Sequence, residues 1–125
     1  MSASPKHAIC WAEIPVNDLK SGCEFYSAVL DAKLEITEFG GGEIVFLPMT
    51  DPKEISGHIY KGKPAAKGTG ATVHLVVPDE LEACTERSKA AGATLIGDPV
   101  TIPAGRFQYI EDPDGNSIGL FELAS

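Results

Sequence analysis

The chain has 125 residues, 43% of them hydrophobic, and carries a formal net charge of -8 at pH 7. This length suits one domain with a buried core, while the negative charge and scattered Lys and Arg argue against a nucleic-acid partner. No apolar run approaches the roughly 18 residues that a bilayer span needs.

Cys10, Cys23 and Cys84 cannot all pair and show no C-x-x-C spacing, so they read as reduced, buried thiols. The segment from Met1 to His7 lacks the apolar stretch of a signal peptide, and the expected location is cytoplasmic.

The first predicted element is an alternating strand from Ile9 to Val16. A helix follows, with Asp18 placed to cap it and Leu19, Cys23, Tyr26 and Leu30 forming an apolar stripe. Strands are then expected over Lys33 to Phe39, Glu43 to Met49 and Gly57 to Tyr60, the first two joined through Gly40-Gly41-Gly42, since glycine accepts positive φ. A polar, lysine- and glycine-rich linker comes next. The order then recurs: a strand from Ala71 to Val77, a helix with Asp79 as its cap and Glu82 completing a capping box, and a stop at Gly92. Strands over Thr94 to Ile102, Arg106 to Glu111 and Ser117 to Leu123 close the chain, with Asp112-Pro113-Asp114-Gly115 as a turn.

That recurrence is a repeat. A gapless shift of about 61 positions lays Val16 on Val77, Asp18 on Asp79, Cys23 on Cys84, Leu34 on Leu95, Phe46 on Phe107 and Asp51-Pro52 on Asp112-Pro113. The expected fold is therefore α+β, with two tandem βαβββ modules, 8–60 and 69–123, joined by a linker at 61–68 within a single domain, 1–125. One helix cannot cover both faces of its sheet, so two modules must share a core.

Two stretches carry a family resemblance: Val16-Asn17-Asp18-Leu19 with Glu24-Phe25-Tyr26-Ser27-Ala28-Val29-Leu30, and Glu111-Asp112-Pro113-Asp114-Gly115-Asn116-Ser117-Ile118-Gly119-Leu120. With them the chain resembles the vicinal-oxygen-chelate superfamily of glyoxalase-like, bleomycin-resistance-protein-like and dioxygenase-like proteins, and in Cys10-Trp11-Ala12-Glu13 and Ile118-Gly119-Leu120 it looks closest to the glyoxalase-related predicted enzymes of that superfamily. The resemblance implies a half-barrel curled around a small-molecule cup, and a homodimer in which modules sometimes exchange through the linker. It carries the usual metal positions onto Trp11, His58, Thr72 and Gly119, of which only His58 is a strong ligand. No cofactor is therefore expected, and the ordinary warrant for lyase or dioxygenase chemistry is missing.

Strand alternation turns Trp11, Glu13, Thr72, His74 and Phe121 toward the cup. Glu13 and His74 are repeat mates, expected to meet in the pocket as an acid/base pair or as a purely structural pair. Trp11, Phe121 and Tyr60 are candidates to stack on a ligand or to pack in the core, and Arg106 either clamps a ligand carboxylate or stays solvated. Cys10, one position off the cup face, is expected to be buried.

The favoured reading is a cup for a small planar or apolar molecule, with His58 and Thr72 among its lining residues and Glu13 and His74 moving a proton without a metal. Two alternatives stand beside it. One is a lyase, isomerase or dioxygenase with a divalent metal held by His58, His74 and Glu13; the other is a non-catalytic protein sequestering an antibiotic-type molecule.

Overall fold

The computed structural model describes residues 6–125. The strand β1 (Trp11–Val16), the helix α1 (Leu19–Leu30) and the strands β2 (Ile36–Phe39), β3 (Gly42–Phe46) and β4 (Ser56–Lys61) form the first module. The second repeats the order with β5 (Thr72–Val76), α2 (Leu81–Ala90), β6 (Thr94–Ile102), β7 (Gly105–Glu111) and β8 (Ser117–Leu123). Each module has one four-stranded sheet, ordered β1-β4-β3-β2 and β5-β8-β7-β6, in which the first and last strands run parallel and the rest are antiparallel. This is the α+β fold of two βαβββ units that the repeat predicts.

Local chemistry explains the elements of the first module. The Asp18 carboxylate accepts from the Ser21 backbone N–H at 2.9 Å and its hydroxyl at 2.7 Å, satisfying a donor that the helix start leaves free. Asp31 ends α1 in the left-handed conformation, at φ 48°. Gly22 lets the helix close on β1, since a Cβ there would come within 2.9 Å of Val16. The β2–β3 hairpin turns through Gly40 and Gly41, both at positive φ, the backbone twist that a two-residue connection favours.

The second helix is held differently from the expectation. Asp79 does not cap α2; it is engaged by Arg87, whose Nη1 and Nη2 donate to its carboxylate at 2.7 and 3.0 Å. Glu82 completes no capping box, because it pairs with Arg106. The first N–H of α2, that of Leu81, donates instead to Glu122 Oε1 on β8 at 2.7 Å.

Between the helices and the convex faces of both sheets lies one apolar cluster, including Ile14, Val29 and Ile59 from the first module and Leu75, Cys84, Ile118 and Leu120 from the second. Polar contacts lock the modules together. Tyr26 Oη donates to Asp112 Oδ2 at 2.6 Å, Asn116 Nδ2 to the Pro15 carbonyl at 2.7 Å, and Asn17 Nδ2 to Asp114 Oδ1 at 2.9 Å. Among the described residues no helix is long and apolar enough to cross a membrane.

The gapless repeat register holds for β1 against β5 and β4 against β8 but not for β3 against β7. Phe46 stands opposite His58, while the mate of His58, Gly119, stands opposite Tyr109. Tyr109, not Phe107, is therefore the structural equivalent of Phe46. The displacement arises because residues 47–55 connect β3 to β4, whereas only 112–116 connect β7 to β8.

Candidate functional site

The pairing of β1 with β4 sets Glu13 beside His58, and the pairing of β4 with β3 sets His58 beside Phe46. Strand alternation adds Trp11, so all four side chains project from the concave face of the first sheet, away from the core. Trp11 Nε1 donates to His58 Nδ1 at 2.9 Å. A ring nitrogen that accepts carries no proton, so this tautomer holds its hydrogen on Nε2. That nitrogen lies 3.4 Å from Glu13 Oε1. Indole, imidazole and carboxylate thus form a line running from the apolar floor to the rim, with the His58 side chain 16% exposed and that of Glu13 63%.

Beside the indole and imidazole of this line is a cavity of about 890 Å³; Glu13 does not line it and instead borders a neighbouring cavity with Pro15, Thr69 and Asn116. Trp11, Phe39, Phe46 and His58 form the sheet-borne wall of the first cavity, with Trp11 and Phe46 edge to face at 6.3 Å between ring centroids. The opposite wall comes from the β3–β4 connection through Leu47, Pro48, Met49 and Pro52. The tight 112–116 turn supplies no such wall to the second sheet. Sequence reasoning missed Phe39, Phe46 and the connection residues as lining groups; the alternation that selected Trp11 also selects Phe46 once the strand register is known.

The second module uses the same positions differently. His74 is the counterpart of Glu13 and Gly119 that of His58. The His74 ring lies over Gly119, in the space that a Cβ would fill. Its centroid is 5.2, 5.8 and 5.7 Å from those of Phe107, Tyr109 and Phe121, and loss of hydration holds the imidazole pKa below its ordinary value.

Several expectations are corrected by this arrangement. Glu13 meets His58 rather than His74, because each cross-strand neighbour is made within its own sheet and the repeat relates the two pairs without joining them. Phe121 stacks on Phe107 at 5.6 Å in the second sheet and does not line the cavity. Thr72 is likewise outside it, hydrogen-bonded to Ser117. Arg106 is no ligand clamp: alternation turns it toward the helix side, where Nη1 and Nη2 each lie 2.6 Å from Glu82 and Nη2 lies 3.0 Å from Glu122. Cys10 is exposed rather than buried, while Tyr60 is half-buried, its ring centroid 6.0 Å from that of His58.

The residues present do not fit a metal. At the four positions carried over by resemblance, the Trp11 N–H occupies one His58 nitrogen, Thr72 is bound to Ser117, and Gly119 has no side chain. The displaced set of His58, His74 and Glu13 is split between the two sheets. Among the described residues no three His, Cys, Asp or Glu side chains gather as an ion would require.

Comparison with known proteins bears on the fold. The model of the Glyoxalase/Bleomycin resistance protein/Dioxygenase superfamily matches residues 8–120. A search of curated proteins gives no match. Among solved structures, a glyoxalase/bleomycin resistance protein from Albidiferax ferrireducens superposes with a TM-score of 0.70 at 22% identity, covering 94% of this chain and 100% of that one. Another from a Streptomyces species gives 0.63 at 21%, covering 92% and 100%. A variant of glyoxalase I from Zea mays gives 0.67 at 20%, covering 90% of this chain and 45% of that longer one.

Proposed function

This chain belongs to the Glyoxalase/Bleomycin resistance protein/Dioxygenase superfamily, and from that premise we propose that its first-module cup binds a small planar or apolar molecule, with His58 in its wall and Glu13 beside that imidazole as the pair that moves a proton. The observation that carries this reading is the aromatic cavity of about 890 Å³, a volume within the range of drug-sized ligand sites. Rings from Trp11, Phe39 and Phe46 offer flat apolar surface, and each such ring buries roughly 150 to 250 Å² when covered. Glu13 is the proton acceptor and His58 Nε2–H the donor, in a pair that needs no metal. Trp11 is a positioning residue, since its N–H sets which His58 nitrogen bears the hydrogen.

The test is mass spectrometry of small molecules released from the purified protein. A planar or apolar compound released by the native chain, and missing from a folded Phe46→Ala variant, supports the cup. A compound retained equally by that variant would refute it. Incubating the recovered compound with fresh protein then separates turnover from sequestration: conversion by the native chain that is lost in Glu13→Gln marks an enzyme, and unchanged recovery marks a binding protein.

A further inference from the structure

Resting on the reading of the first-module cup as a ligand site, we propose that it selects planar aromatic cations and rejects anions of the same shape. Leu, Pro, Met, Phe and Trp side chains make up the lining apart from His58, so neither lysine nor arginine meets the ligand there. The indole N–H of Trp11, a donor suited to an anionic oxygen, is already spent on His58 Nδ1.

The same bond bears on the imidazole. With Nδ1 accepting from the indole, that nitrogen offers no hydrogen to a carboxylate or phosphate. The ring's one remaining N–H faces Glu13. The carboxylate nearest the cavity is that of Glu13, which is not among the lining residues but lies 3.4 Å from Nε2 of the lining His58, with its side chain 63% exposed.

Two further effects act in the same sense. Aromatic faces attract cations through their quadrupoles, and indole does so best. The whole chain carries a formal charge of -8, which raises the local concentration of positive solutes and lowers that of negative ones. A cationic two-ring body lying on the face of one of Trp11 and Phe46 and against the edge of the other, with its charge toward the Glu13 side of His58, has a carboxylate nearby; an anion of the same shape has that carboxylate nearby and no lysine or arginine in the lining.

Calorimetric titration at low salt with three size-matched probes tests this: N-methylquinolinium as cation, 2-methylnaphthalene as neutral body and 2-naphthoate as anion. The cation is expected to bind at least about tenfold more tightly than the anion, with the neutral probe between them. Glu13→Gln is expected to bring cation and anion together while leaving the neutral probe unchanged, and added salt to narrow the gap. Equal or tighter binding of 2-naphthoate, or a ratio that survives Glu13→Gln, would overturn the charge selection while leaving the cup intact. Binding of none of the three, or binding unaltered in a folded Phe46→Ala variant, would remove the cup and this inference with it.

Discussion

His74 shows how one residue records its surroundings. Three aromatic rings strip water from its imidazole and lower its pKa, so the folded chain binds this proton less readily than the unfolded one. Its contribution to stability is complete above the unfolded value of about 6.5 and declines as pH falls through the lowered folded value. Urea midpoints measured from pH 7.5 to 5 should fall less steeply for His74→Gln than for the native chain; parallel curves would show that His74 does not contribute. Tyr26 is the other telling residue, fully buried with its hydroxyl on Asp112. Tyr26→Phe should lower unfolding free energy by about 1.5 kcal/mol, the lower end for a bond to a charged group, since Asp112 keeps donors from Asp114 and Asn116. At this scale alternation made Trp11 legible as a cavity residue, while Glu13 projects from the same face of the sheet but borders the neighbouring cavity. Arg106 was misjudged because its carboxylate partners, Glu82 and Glu122, lie on separate elements.

Among the elements, α2 depends most on a distant part of the chain. Its first N–H is held by Glu122 of β8, which also bears on Arg106; a carboxylate at a helix N-terminus satisfies both the free donor and the helix dipole. Glu122→Ala is expected to speed hydrogen exchange in the first turn of α2 and lower the melting temperature, while ligand affinity in the first module stays unchanged. Unaltered exchange at Leu81 would show that Glu122 does not cap the helix. Element identity was largely readable: β6 and β8 fall on their predicted bounds, because alternation and flanking turns are local signals. The slip between β3 and β7 was not readable. Agreement of Phe46 with Phe107 made the repeat look gapless, and the unequal loops emerge only from strand pairing.

Over the whole molecule, the core belongs to neither module alone. Residues 1–66 expressed by themselves should lack a cooperative unfolding transition, since their half of that cluster would face water; a sharp calorimetric transition in the fragment would contradict this. The concave face of the second sheet is apolar and uncovered, with Val76, Ile96, Val100, Ile102 and Tyr109 exposed along it. A patch of that kind favours burial against another surface, and a second copy turned by a twofold axis covers both copies alike. We therefore expect a homodimer in light scattering, weakened by Val100→Lys; a monomer at micromolar concentration would sink this expectation.

The amino-acid order by itself determined the two-module plan, the elements and the side of each strand a residue takes, because hydrophobic period, caps and turn residues act over a few positions. Only the tertiary structure decided that Glu13 meets His58, that Trp11 holds the imidazole tautomer, that His74 covers Gly119, and that a cavity forms beside the first sheet. Those outcomes depend on strand register and on the length of the 47–55 connection as it packs, and both are settled by contacts between residues far apart in the chain.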